Sequence, residues 1–584
     1  MQFIEAKDKN LADILSNNRY RIDSFQREYR WQRKHIEALI SDLCICFDKF
    51  YNTGDTIENY EDYGSYYIGP IVLCDDKKNL SIIDGQQRLT SFTLLLIFLH
   101  HAQLQLSLPQ NQIKDLKQFL YVTKGGKTTL VLNVEARNNV IEHLFSNPGK
   151  VYEIDARNRD ESLHNLIVRY EDITKTFPKE FNSAEKLPIF IEWMLDKIIV
   201  VEVKAYSMDN AYTIFETMND RGLSLNPTEI LKGFLLSKIE DENKSEEMNL
   251  FWKNRVTELK SLTGGDGDLD FFRAWLRAKY AETIRPKQIG SENEDFELIG
   301  TQFHSWVKNN PNKTYLKHKD DHYFFIRSDF DFFSNLYARI FKLKNFYTEG
   351  FEDIYSSNFY PIADSLAYPL IISPITKIDD ESSIDKKIKI TSKFIDIYTL
   401  IRVITGKAIT QSSIRYAIYE MVKLVRNSDP SILKEKLSSE LERLNNNPYS
   451  PLTILHKMDN WGFYHYLFAR LLYMENNEAD FSTLLRSKRQ NSLVLFKLFD
   501  FEDKPEDIED LSWQLNIDSV AGHCLVRRHD LEMIYSKKEM KRLKYLVKQG
   551  YMPEMIGIET DSIEEFISIR DHRLREKIDE LLTY

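Results

Sequence analysis

Ser81–Thr90 reads SIIDGQQRLT, and this stretch decides how the N-terminal part of the chain folds. An apolar strand runs into Asp84-Gly85, and two glutamines and an arginine then open a helix, Leu89 to Ala102, too apolar to be exposed. A sharp strand-to-helix turn leaves backbone N–H groups unpaired at the positive end of the helix dipole, which favours an anion such as a phosphate. Asp84 beside Gly85 suits a hydrated magnesium ion, and Arg88 suits a phosphate oxygen.

Working outward, Tyr66–Cys74 (YYIGPIVLC) and Leu80–Ile83 read as paired strands joined by residues 75–79. Residues 128–133 (TTLVLN) and 197–204 (KIIVVEVK) are further strand candidates, rich in β-branched side chains. Residues 211–239 read as helix, turn, helix. Asn226 is placed as the N-cap, Pro227 at the first helical position and Glu229 three residues after the cap. Beyond about residue 241 strand signals fade, and 329–346, 386–404 and 411–426 repeat apolar residues at helical spacing. Gly264–Asp270 (GGDGDLD) reads as a plain loop, because the calcium-loop spacing and its terminal glutamate are absent. The chain thus divides into an α/β domain over 1–240, a helical middle domain over 241–430 and a helical C-terminal domain over 431–584.

The chain has 584 residues, 29% of them charged and 42% apolar, as expected of a globular protein of several domains. Its formal net charge of −11 excludes a uniformly basic nucleic-acid coat, although a local basic groove is still allowed. Four cysteines form no CxxC pair, so neither a zinc knuckle nor a disulfide framework is indicated. No signal peptide and no membrane span is read, and a cytoplasmic location is expected.

Three further segments are weighed for chemistry. Ile22–Trp31 (IDSFQREYRW) interleaves Phe25, Arg27, Tyr29, Arg30 and Trp31 with Gln26. Such a set stacks on a base or clamps a phosphate, or it simply anchors the helix that follows. Asn219, Arg221 and Gly222 sit at a helix end, facing a ligand or satisfying carbonyls there. Gly126-Lys127-Thr128 is not a P-loop, because Tyr121 stands where the first glycine belongs and a strand follows; it reads as a hairpin turn.

FQREYRW, DGQQRLT and AYTIFETMNDRGLSLNPTEILKGFLL, in this order, resemble the N-terminal domain known as DUF262. That domain is the sensor half of GmrSD-type modification-dependent restriction enzymes and of the phosphorothioate-sensing SspE proteins. The resemblance implies a ParB-like α/β fold that binds and hydrolyses a nucleoside triphosphate, ATP or GTP with Mg2+, and senses DNA. It points to Asp84, Gln86, Gln87 and Arg88 as the hydrolytic motif. Gly85, Phe25, Gln26, Arg27, Tyr29, Trp31, Asn219 and Arg221 are the implied nucleotide or DNA contacts, and Asp84 the implied magnesium ligand.

Single-chain members of this family end in an HNH-type nuclease domain, DUF1524. The nearest stretches here are Ile508–Asn516 (IEDLSWQLN) and Ser519–Arg527 (SVAGHCLVR). They put Asp510 where the catalytic histidine belongs and His523 where an asparagine belongs, with His529 nearby. Aspartate, with an ordinary pKa of about 4, is a weak base for water. A degenerate nuclease region, kept for contacting DNA or docking a partner that cuts, is therefore expected.

The reading is an antiphage protein whose triphosphate hydrolysis senses modified or foreign DNA and gates a nuclease step. The nuclease belongs either to residues 500–584 or to a separate partner from the same operon, and self-association is allowed. The alternative is a non-hydrolysing sensor or scaffold that recruits a separate nuclease, so enzymatic activity is left open here.

Overall fold

A computed structural model of the chain describes residues 4–22, 29–75, 80–106, 108–149, 161–206, 210–211, 214, 227–286, 291–359, 362–405, 407–445, 461–475, 493–500, 504, 509–510, 513 and 518–584. The chain divides into two compact units, Met1–Leu236 and Ser237–Tyr584.

The first unit is built on a six-stranded mixed sheet. Its strands are β1 (Ile4–Asn10), β2 (Tyr20–Arg21), β3 (Tyr66–Asp75), β4 (Leu80–Asp84), β7 (Leu132–Asn133) and β8 (Ile198–Ala205), in the order β1-β8-β3-β4-β2-β7. The expected pairing of β3 with β4 is present and antiparallel, with Leu73 opposite Ile82. The other pairings join distant segments: β3 runs parallel to β8, and β2 runs parallel to both β4 and β7. The edge strand β1, IEAKDKN, is charged and mostly exposed, which suits an edge. Residues 128–133 do not form one strand. The hairpin β5 (Tyr121–Lys124) and β6 (Lys127–Leu130) turns at Gly125-Gly126, both with positive φ, and Leu132 then joins the main sheet. GKT thus belongs to a hairpin, as its context implies, with Gly126 in the turn and Lys127 and Thr128 opening β6.

One face of the sheet carries helices α1 (Leu11–Leu15), α2 (Arg33–Asp48), α3 (Gln86–Gln105), α4 (Glu135–Ser146), α5 (Glu161–Thr176) and α6 (Lys186–Lys197). Helix α3 packs against α4, α5 and α6, so its residues are buried on nearly every side; it is a core helix rather than an amphipathic one. Between α2 and α6, Phe47 meets Phe190 edge-on at 5.4 Å and Trp193 at 5.6 Å, and Trp193 Nε1 donates to Gly64 O at 2.9 Å. A smaller core of Val72, Cys74, Ile83, Val203, Ala205, Ala211 and Ile214 forms a separate cluster. Helix α7 (Pro227–Ser237) closes the unit; its expected cap Asn226 lies outside the described residues.

The second unit is mainly helical. Glu381–Ile404 and Gln411–Val425 form helices as their periodicity predicts. The expected helix over 329–346 starts as a π-turn, Phe325–Phe330, before the regular helix Asp331–Asn345. GGDGDLD is not a loop throughout. Gly264 ends one helix, and Gly267–Lys279 begins the next, with Asp268 fully buried and paired to Lys260 at 3.3 Å. The C-terminal part, mainly helical as expected, also contains two strands that the sequence did not signal. Strands β9 (Leu493–Lys497) and β10 (His523–Arg527) pair antiparallel, placing Cys524 opposite Phe496. Each is a five-residue, largely apolar run without clear alternation, so their pairing is a tertiary matter. Among the described residues no helix is long and apolar enough to cross a membrane.

Candidate functional site

The β4–α3 turn demands a backbone that only glycine adopts cheaply. Gly85 has φ +95°, and a Cβ added there would lie 2.9 Å from Ile71 Cγ1. Gly85 is the N-cap of α3 and offers no side-chain cap, so the first N–H groups of the helix open at its positive end without a capping oxygen.

Gln86 follows, and it is buried. Its Oε1 has no hydrogen-bond partner among the described residues. Leaving such an acceptor unmatched costs roughly 1–3 kcal/mol, which folded proteins tolerate where a ligand or water completes the bond.

Arg88 is held on two sides. Its Nη1 donates to Ile68 O at 2.9 Å and its Nη2 meets Asp84 Oδ2 at 3.3 Å. The guanidinium fits because β3 bulges between Tyr67 and Pro70 and because Gly69 has no side chain; a Cβ there would lie 2.5 Å from Arg88 Nη1. Gly69 is a site residue that sequence reasoning passed over. Its signal was present, since a glycine inside a strand pattern marks a bulge or a close approach.

Gln87 ties the motif to the FQREYRW segment: its Oε1 accepts from Arg30 N at 2.9 Å. Tyr29 O accepts from Asn165 Nδ2 at 2.9 Å, Tyr29 N donates to Ser162 Oγ at 3.1 Å, and Trp31 O accepts from Arg169 Nη1 at 3.0 Å. Arg30 Nη1 also lies 3.8 Å from Glu229 Oε1 in α7. The end of one segment and the start of another are thereby brought to the first turn of α3.

The expected contacts divide as follows. Asp84, Gly85, Gln86, Gln87 and Arg88 stand together at the turn. The Tyr29 ring lies in the core, with its hydroxyl on Ser91 Oγ at 2.8 Å, and burial pushes the phenol up to about 12. Tyr29 is thus an anchor that fixes the segment rather than a side chain lining a cleft. Trp31 is partly buried, packs on the same core and lies 5.9 Å from the His35 ring. Phe25, Gln26, Arg27, Asn219 and Arg221 lie outside the described residues.

The C-terminal candidates do not converge on a nuclease centre. Asp510 is exposed and pairs with Lys504 at 3.0 Å. His523 is buried at the start of β10, its Nδ1–H donating to Ser519 O at 2.9 Å, and burial lowers its pKa to about 4. His529 is exposed beside Asp530. Among the described residues no group of three or more His, Cys, Asp or Glu could hold a metal ion.

The buried His523 makes a pH prediction. Its folded pKa lies below the ordinary 6.5, so between those values the unfolded chain binds the extra proton and stability falls as pH falls. His523→Asn keeps an N–H donor and removes the titration. Urea unfolding at about pH 5 is expected to show the wild type losing about 2 kcal/mol more than the variant, relative to pH 7. Equal losses would show that His523 is not held neutral.

No curated protein matches this sequence significantly. Residues 11–236, in contrast, match the family described as GmrSD restriction endonuclease, N-terminal domain. This span contains the whole β4–α3 turn with its Gly69 cradle and its Tyr29 anchor. Over residues 11–236 the chain is therefore similar to the N-terminal domain of GmrSD restriction endonucleases, which points to a restriction-type role in antiphage defence.

Proposed function

We propose that this chain binds and hydrolyses a nucleoside triphosphate, ATP or GTP with Mg2+, at the β4–α3 turn, and that hydrolysis reports modified or foreign DNA and gates a nuclease step. The observation that carries the reading is the buried Gln86 acceptor, unpartnered among the described residues, beside a glycine-capped helix start and an arginine held ready. The open N–H groups of α3 receive phosphate oxygens. Gln86 accepts a hydrogen bond from the attacking water, and Arg88 takes up charge on the transferred phosphoryl group. Asp84 is one partly exposed carboxylate, which fits a magnesium ion that keeps most of its waters and arrives on the phosphates. Bound magnesium supplies charge neutralisation on the phosphate oxygens. The DNA cut is assigned to a partner, because His523 is buried and Asp510 is already paired.

Phosphate release from each triphosphate, with and without modified phage DNA, tests the reading. Gln86→Leu is the informative variant. Replacing an unmatched buried acceptor with an apolar group of similar size should leave stability unchanged or raise it by about 1 kcal/mol. Turnover, in contrast, should fall at least about tenfold. Wild-type protein without turnover, or a Gln86→Leu variant with normal turnover, would remove the hydrolytic reading in favour of a sensor that only binds. A second assay concerns cutting. The purified chain alone should not nick modified DNA with magnesium or manganese, and nicking abolished by His523→Ala would overturn the assignment to a partner.

A further inference from the structure

The helical unit contains a cavity of about 210 Å³ lined by Phe351, Asp353, Lys389, Ser392, Lys393, Lys434 and Tyr584, among others. Lys389 and Lys393 are four residues apart on helix Glu381–Ile404, so they share a face, and Lys434 comes from helix Pro430–Asn445. Like charges at this spacing repel, and a helix usually relieves them with a nearby carboxylate. Among the described residues none of the three lysines forms an ion pair. The Lys389 ammonium instead sits 4.7 Å over the Phe351 ring. The carboxylate in the lining, Asp353, is already engaged by Arg470 at 2.8 Å, and the nearby Asp396 by the same arginine at 3.0 Å. The lining is therefore cationic with its acid neutralised from behind.

A second observation points the same way. Ser392 is 2% exposed, and its hydroxyl has no hydrogen-bond partner among the described residues. A buried hydroxyl on a helix normally donates to the carbonyl four residues back, as Thr391 does to Lys387 O at 2.8 Å. Three ammonium groups with no ion pair among the described residues, a hydroxyl unmatched among them and two aromatic side chains are the components of a site for a phosphate ester that carries a flat group.

We propose that this cavity binds a nucleoside monophosphate unit, with its phosphate on Lys389, Lys393, Lys434 and Ser392 and its base against Phe351 or Tyr584. The unit is either a free nucleotide or the 5′-phosphorylated end of a DNA strand, since both present the same chemistry. The site lies in the other compact unit from the β4–α3 turn and does not depend on that turn being hydrolytic.

Pyridoxal 5′-phosphate, which forms a Schiff base with lysines near a phosphate site, followed by borohydride reduction and peptide mass mapping, tests this on the full chain. The expected result is labelling concentrated on the three lysines. Protection is expected from dAMP or from a 5′-phosphorylated oligonucleotide, but not from deoxyadenosine. Protection by dAMP alone identifies a free nucleotide, and protection by the phosphorylated oligonucleotide but not its 5′-hydroxyl form identifies a DNA end. Lys393→Gln/Lys434→Gln should weaken dAMP protection by about tenfold or more, with Arg88→Ala leaving it unchanged. Labelling no greater than at exposed lysines such as Lys342, or equal protection by deoxyadenosine, would overturn the proposal.

Discussion

Arg88→Ala is expected to lower triphosphate turnover by about 10²–10³-fold, the usual loss when one donor aimed at developing charge is removed. Arg88 is not a mobile side chain waiting for substrate. Ile68 O and Asp84 hold its guanidinium, and the missing side chain of Gly69 makes room for it. Such pre-organisation means little reorganisation accompanies the reaction. Gly69→Ala should therefore reproduce much of the loss with the arginine still present, because its Cβ would lie 2.5 Å from Nη1. Arg88→Lys keeps the charge but loses the fork, so it should recover only part of the rate. Phosphate release measured beside nucleotide binding separates the roles. A large fall in kcat with binding nearly intact supports charge stabilisation. Unchanged turnover in Arg88→Ala would show that Arg88 is a structural clamp on β3.

Arg470→Met is expected to destabilise the helical unit by about 3–5 kcal/mol at pH 8, the cost of removing the shared partner of two carboxylates, one of which must then take up a proton to stay buried. Arg470 bridges Asp353 and Asp396, and Asp396 is 3% exposed. Burial raises the Asp396 pKa to about 7, with Arg470 opposing that rise. Because the folded pKa lies above the ordinary 3.8, the folded state binds the extra proton between those values, and stability from this group is lost as pH rises toward 7. Without Arg470 the carboxyl stays protonated to higher pH. The variant's loss should therefore be smaller at about pH 5.5 than at pH 8, and Asp396→Asn in the Met background should recover part of it. Urea unfolding at the two pH values reads both effects. A loss independent of pH and not relieved by Asn would place the cost in packing instead.

Local elements of this protein follow from local residues. The β3–β4 pair, the Gly125-Gly126 hairpin and the helix after Gly85 each depend on neighbours within about one turn of chain, where propensity and periodicity act. The strands β9 and β10 escaped notice because their paired residues lie about 30 positions apart and each is too short to show a period. The aromatic–arginine set around Tyr29 allowed either a ligand-stacking or a helix-anchoring role; burial, with the hydroxyl on Ser91, made that ring an anchor.

DGQQR by itself determined that a strand meets a buried helix at a glycine turn, and that acid, amide and arginine groups cluster there. Tertiary structure decided what each group touches. Gly69, 19 residues before Arg88, makes the arginine's cradle, the Arg30 N–H occupies Gln87, and Gln86 keeps a buried acceptor unmatched among the described residues. The reason is physical: the turn is set by φ and the dipole of a few residues, whereas partnership depends on which distant strand and loop come to lie beside it.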